Sequence, residues 1–174
     1  MLCEYSTVEA LPDIPLYCQP KLNGVRAWWS VARRALIMRG GFPITSCPQI
    51  TQDCAAFELP LDGEIYRHGA PIGDIAGAVR RLRPSDFSVT LEFCCFDMWN
   101  REPQHKRLIA DNRWLPASMH VRHVPTVLTK TNTERRALYS EYLSAGYEGM
   151  IARLPDARYA PGKRILWKIK PLWD

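Results

Sequence analysis

The apolar positions of this chain fall into short runs set apart by turn residues. Runs at 16–18, 25–31, 35–39, 59–66, 89–98, 121–128, 150–153 and 166–169 are rich in β-branched and aromatic residues and predict strands. Helical spacing is rarer. It predicts one helix from Ser46 toward Phe57, with Ser46 as its cap and Pro48 in its first turn, a second over Ile75–Leu82 and a third over Gln104–Leu115. The best-defined helix is Asn132–Ala145, where Thr131 and Glu134 have the spacing of a capping box and Gly146 supplies the stop. Strands and helices do not alternate regularly. That argues against a doubly wound parallel sheet and for an α+β fold of mostly antiparallel sheets flanked by helices.

The length of 174 residues suits a single domain over 1–174. The formal charge of +5 suits an anionic partner such as nucleic acid or a nucleotide, but many proteins of that charge bind neither, so charge alone does not decide. Six cysteines contain no CxxC pair, and His105, His120 and His123 complete no zinc pattern. Buried free thiols in a reducing compartment are expected, with adjacent Cys94 and Cys95 facing opposite ways on a strand. The N-terminal residues have no basic and apolar signal-peptide regions, and no apolar run approaches the ~20 residues of a membrane span. The expectation is a soluble, cytoplasmic or otherwise intracellular monomer without a membrane partner.

Chemistry enters with Gln19-Pro20-Lys21-Leu22-Asn23-Gly24-Val25-Arg26, a lysine at a strand end followed by a strong turn signal and an arginine. Taken alone, this segment reads as a hairpin with an exposed lysine. Four further segments change the balance. Leu61-Asp62-Gly63-Glu64-Ile65 places two carboxylates around a glycine, and Phe96-Asp97 ends a long β run. Tyr147-Glu148-Gly149-Met150-Ile151 places a carboxylate and a glycine ahead of an apolar run. Trp167-Lys168-Ile169-Lys170 puts two lysines on one face of a strand. Each is weak alone; in this order they form a pattern.

The pattern resembles the covalent nucleotidyltransferases: ATP-dependent DNA ligases, RNA ligases and mRNA capping enzymes. Lys21 to Arg26 is similar to their first motif, KxDGxR, and Arg39-Gly40 to the short arginine segment after it. Leu61–Ile65, Cys95–Met98, Glu148–Ile151 and Trp167–Lys170 resemble the later motifs, so the likeness spans Gln19 to Lys170. Glu148-Gly149-Met150-Ile151-Ala152-Arg153 and Tyr159-Ala160-Pro161-Gly162-Lys163-Arg164 look like the versions found in DNA ligases.

The resemblance implies an ATP-grasp-like nucleotidyltransferase domain without the OB-fold domain that usually follows, since only four residues come after Lys170. It implies that Lys21 attacks the α-phosphate of ATP to give lysyl-AMP, that AMP then passes to the 5′-phosphate of a nick, and that the nick is sealed. The amine must be neutral to attack, and neighbouring cations favour that form. Lys168 and Lys170 are expected to act with Lys21 and to stabilise phosphate charge. The nucleotide site is expected to comprise Gln19 at the adenine edge, Lys21 and Leu22, Arg26 on phosphate, Glu64 on the ribose, Phe96 stacked on adenine, Met150 (or Ile151) covering the other side, and Lys168 and Lys170. Glu148 has hard oxygens for Mg²⁺. Arg26 and Arg39 suit the nucleic acid, with nicked duplex DNA as the partner, while Arg80, Arg81 and Arg83 read first as a solvated helix face. ATP is favoured over NAD because only twenty residues precede Lys21.

This chain departs from the family at Asn23, where the motif usually carries Asp. Two other readings stay open: an RNA ligase or capping-type enzyme, and a nucleic-acid-binding relative that has lost turnover.

Overall fold

In the computed structural model, residues 2–100, 102–107, 118–162 and 164–171 are described. Their elements in chain order are β1 (Leu2–Tyr5), β2 (Leu16–Lys21), β3 (Val25–Ser30), β4 (Ala35–Met38), α1 (Pro48–Cys54), β5 (Leu61–Tyr66), α2 (Ile72–Val79), β6 (Glu92–Met98), α3 (Gln104–Arg107), β7 (Val121–His123), β8 (Val127–Thr129), α4 (Asn132–Ser144), β9 (Gly149–Arg153) and β10 (Arg164–Ile169). The chain divides into two compact units. The first comprises Met1–Leu22, Arg101–Ala110 and Pro125–Asp174, and the second Asn23–Asn100 and Asp111–Val124.

The first unit is built on a five-stranded sheet of order β1-β10-β9-β2-β8, in which only the β1–β10 pairing is parallel. Strand alternation sorts its residues onto two faces. Leu16, Cys18, Met150, Ala152 and Ile169 are buried with Val8, Leu11 and Tyr142, which makes one face the core. The register sets Gln19 opposite Ile151, Ile151 opposite Lys168, and Lys168 opposite Tyr5, so these four share the other face.

Helix α4 begins and ends as expected. Thr131 accepts from the backbone N–H of Glu134, although the Glu134 carboxylate returns to the N–H of Lys130 rather than to that of Thr131. Gly146, at φ 85°, takes the left-handed conformation that glycine tolerates, and the N–H of Tyr147 reaches the carbonyl of Tyr142. The fully buried Arg135 tethers this helix by donating to Thr129 Oγ1 at 3.1 Å and to the Pro12 carbonyl at 3.0 Å.

The second unit carries the sheet β4-β3-β5-β6-β7, antiparallel except for β6–β7. Its register shifts beside Asp62: Asp62 faces Asp97 and Gly63 faces Cys95, which leaves Phe96 with no residue opposite. This is a β-bulge, a device that re-aims a side chain.

The α+β expectation holds, with local corrections. Segment 121–128 is two strands in different sheets, because Pro125 between them has no N–H for a ladder. The run 89–98 starts as a strand only at Glu92, since Ser88–Thr90 is a 3₁₀ turn. Ser46 does not cap α1: its hydroxyl donates to the Val79 carbonyl, and Cys47 is the cap residue, without a side-chain bond. The second helix starts earlier, after Pro71, and ends at Val79. The third is helical over Gln104–Arg107, and residues 108–115 lie outside the described residues. β2 and β3 belong to different sheets, so Asn23-Gly24 closes no hairpin. Strand β1 was not foreseen. All six cysteines are free thiols.

Candidate functional site

In the first unit, β2 delivers Lys21 at its last position and β9 begins one residue after Glu148. The N–H of Glu148 donates to the carbonyl of Lys21 at 3.1 Å, which continues the ladder past the strand end. The two side chains then meet, with Lys21 Nζ donating to Glu148 Oε2. The other carboxylate oxygen, Oε1, lies 3.6 Å from Lys170 Nζ. All three side chains are about a quarter exposed or less, at 20%, 24% and 25%. Gly149 makes this approach possible. Its φ is +154°, and a Cβ there would stand 2.1 Å from the Ile169 carbonyl oxygen. No residue with a side chain fits at that point, between Glu148 and β10.

Lys168 shares the face and is capped by an aromatic ring: its Nζ stands 3.5 Å from the centroid of Tyr5, and Lys170 Nζ stands 5.6 Å away. The phenol of Tyr5 is held below its ordinary pKa by the nearness of Lys168 first and of Lys170 second. Gln19 is buried on the same face and spends its amide N–H on Thr126 Oγ1 at 2.7 Å. Leu22 is half-buried just beyond β2. Met150 is corrected: it lies in the core on the opposite face, and Ile151 is the residue that looks out beside the lysines. Lys163 and the side chain of Arg164 lie outside the described residues.

In the second unit, Arg26 on β3 grips Asp62 on β5 at two points, Nε to Oδ1 at 3.1 Å and Nη2 to Oδ2 at 2.6 Å. Asp62 is buried, so this planar fork is oriented from beneath. The guanidinium carbon of Arg26 also lies 5.7 Å from the ring centroid of the bulged Phe96. Glu64, opposite Arg26 in the register, accepts from the N–H of Gly24 at 3.2 Å. A Cβ at Gly24 would stand 2.3 Å from the Ile65 carbonyl oxygen, so glycine is what lets the turn lie against β5. Arg26, Glu64 and Phe96 are therefore neighbours. Asn23 and Arg39 are exposed, as are Arg80, Arg81 and Arg83.

Two participants escaped the sequence reading. Tyr5 sits on a four-residue strand too short to show a period, and Asp62 enters the sequence pattern only as one of two carboxylates around Gly63, with no role of its own.

As to metal, the described residues contain no cluster of three His, Cys, Asp or Glu. Glu148 offers a single carboxylate between two lysines. That donor set fits Mg²⁺ carried by nucleotide phosphates, which is commonly held by one or two protein carboxylates, and does not fit a cage made by protein alone.

Lys21, paired to the strand-entry carboxylate of Glu148 beside Lys168 and Lys170, gives this face an excess of positive charge that suits a phosphate group. In sequence, residues 1–170 match the ATP-dependent DNA ligase domain. The chain belongs to that family. The DNA ligase of African swine fever virus (isolate from a warthog in Namibia) is 30% identical over 125 residues, covering 66% of this chain and 29% of that protein. The DNA ligase of Archaeoglobus fulgidus is 26% identical over 158 residues, covering 80% of this chain and 28% of that protein. This chain thus spans less than a third of the length of these relatives. Among solved structures, a Lig E DNA ligase, described as binding DNA with a minimal scaffold, superposes with a TM-score of 0.81 at 20% identity, covering 98% of this chain and 67% of that one. The Chlorella virus DNA ligase–adenylate superposes with a TM-score of 0.76 at 23% identity, covering 95% and 67%. These likenesses show that the fold is the DNA ligase adenylation fold.

Proposed function

We propose that the chain is the adenylate-forming domain of an ATP-dependent DNA ligase, with Lys21 as the nucleophile and nicked duplex DNA as the acceptor. The observation that carries this reading is the contact of Lys21 Nζ with Glu148 Oε2, on a carboxylate whose other oxygen faces Lys170. It aims the amine and gathers positive charge where a triphosphate would bind.

In the reaction, the nitrogen of Lys21, which is partly exposed, passes a proton to solvent and attacks the α-phosphorus with its freed lone pair. The new N–P bond forms as the P–O bond to pyrophosphate breaks. Lys168 and Lys170 stabilise charge on the phosphate oxygens and on the departing pyrophosphate. Mg²⁺ bound with the nucleotide would be held by Glu148 and would offset further phosphate charge. Glu64, Phe96 and Arg26 are assigned by motif position to the ribose, the adenine and a phosphate, and Arg39 to the nucleic acid. Gln19, Leu22 and Ile151 are assigned to the adenine side of the first unit. AMP then moves from Lys21 to the 5′-phosphate of the nick, and the adjoining 3′-hydroxyl displaces it to seal the strand.

The test is a sealing assay with ATP and Mg²⁺ on nicked DNA and on a nicked RNA duplex of the same sequence. Faster sealing of DNA is expected. Preference for RNA would favour the RNA-ligase reading, and adenylylation without transfer to either would favour a relative that has lost turnover.

A further inference from the structure

The three lysines of the first unit are not held alike. Glu148 takes Lys21 through one oxygen and Lys170 through the other. Among the described residues, no carboxylate pairs with Lys168. Its partner is the ring of Tyr5, 3.5 Å from Nζ to centroid, and the same ring lies within reach of Lys170 at 5.6 Å. Both distances fall inside the ~6 Å over which an aromatic face attracts a cation.

We infer that Tyr5 is a positioning residue for nucleotidyl transfer: its ring orders Lys168, and more weakly Lys170, while leaving the charge of both ammonium groups intact. The inference rests on the adenylate-forming role proposed above. A carboxylate in the place of Tyr5 would order Lys168 equally well, but it would cancel the charge that phosphate oxygens require. An aromatic quadrupole attracts a cation and adds no net charge.

The backbone is arranged for this contact. Parallel pairing of β1 with β10 sets Tyr5 opposite Lys168, and the N–H of Ser6 donates to the Lys168 carbonyl at 3.1 Å, which fixes the chain just past the ring. Tyr5 is 61% exposed, so packing of the core does not explain an aromatic residue there. The lowered pKa of its phenol agrees with the closeness of both lysines.

The test compares wild type with Tyr5→Phe, Tyr5→Leu and Tyr5→Glu. Single-turnover self-adenylylation is followed at saturating and at limiting ATP, together with thermal unfolding. Tyr5→Phe keeps the ring and should match wild type. Tyr5→Leu should slow the step at saturating ATP by about two- to fivefold, the worth of one exposed cation–π contact. Tyr5→Glu should slow it further, even though it can pair with Lys168. Unfolding midpoints should not move. A Tyr5→Leu rate equal to wild type would overturn the inference, as would a Tyr5→Glu rate equal to that of Tyr5→Phe. Equal losses in Phe and Leu would assign the effect to the hydroxyl, and losses that track unfolding would assign it to structure; either also overturns it. A wild-type protein that forms no adenylate overturns the underlying role itself, which separates that failure from failure at Tyr5 alone.

Discussion

Glu148 in the first unit serves two lysines while a third rests on an aromatic ring, whereas Asp62 in the second unit serves one arginine through two bonds. The first arrangement sets three ammonium groups against one carboxylate and is left with positive charge. In the second, Arg26 and Asp62 form one matched pair, and Glu64 adds a further carboxylate that accepts from the backbone N–H of Gly24. Excess positive charge on a half-buried face is what a reaction at phosphate needs. A balanced pair beneath a bulged aromatic residue is suited to holding a base and a sugar, where shape and stacking matter more than charge. The proposed roles follow this difference in the main: the nucleophile Lys21 and the phosphate lysines Lys168 and Lys170 lie in the first unit, and the proposed ribose and adenine contacts Glu64 and Phe96 lie in the second.

The strongest way to break this division is at Glu148. Glu148→Ala should lower single-turnover adenylylation by roughly 10²-fold or more, the usual scale for removing one well-placed electrostatic group. A variant that reacts faster than wild type would mean that Glu148 merely restrains Lys21. Next comes Phe96. Phe96→Ala should weaken ATP binding, measured by calorimetry, on the order of 1–3 kcal/mol, and leave the rate at saturating ATP little changed. Unchanged affinity would remove Phe96 from the adenine assignment. The smallest effect is expected at the exposed Asn23. Asn23→Asp restores the residue usual in the family motif and should raise the single-turnover rate of adenylylation or sealing modestly. A fall in both would show that an added carboxylate at this turn repels phosphate.

Much of this was legible in the sequence where local signals and chemistry coincide. Thr131, Glu134 and Gly146 mark helix α4 nearly to the residue, because caps are written locally. The order of Lys21, Glu64, Glu148, Lys168 and Lys170 carries the resemblance to the family that the match over residues 1–170 shows. What was not legible depends on partners distant in sequence. Both Met150 and Ile151 are apolar, so the strand pattern cannot say which faces the core; the core contacts of Met150 decide it. Phe96 lies in a continuous apolar run, and only the pairing of β5 with β6 reveals its bulge. Tyr5 gains its meaning from a parallel neighbour more than 160 residues along the chain.

The proposed reaction depends on Lys21 above any other residue. The most direct measurement is mass spectrometry of peptides from protein incubated with ATP and Mg²⁺, at a pH that preserves phosphoramides. One added AMP is expected, located on the peptide that contains Lys21, and none in the Lys21→Ala variant. AMP on any other residue, or undiminished AMP on the alanine variant, would contradict it.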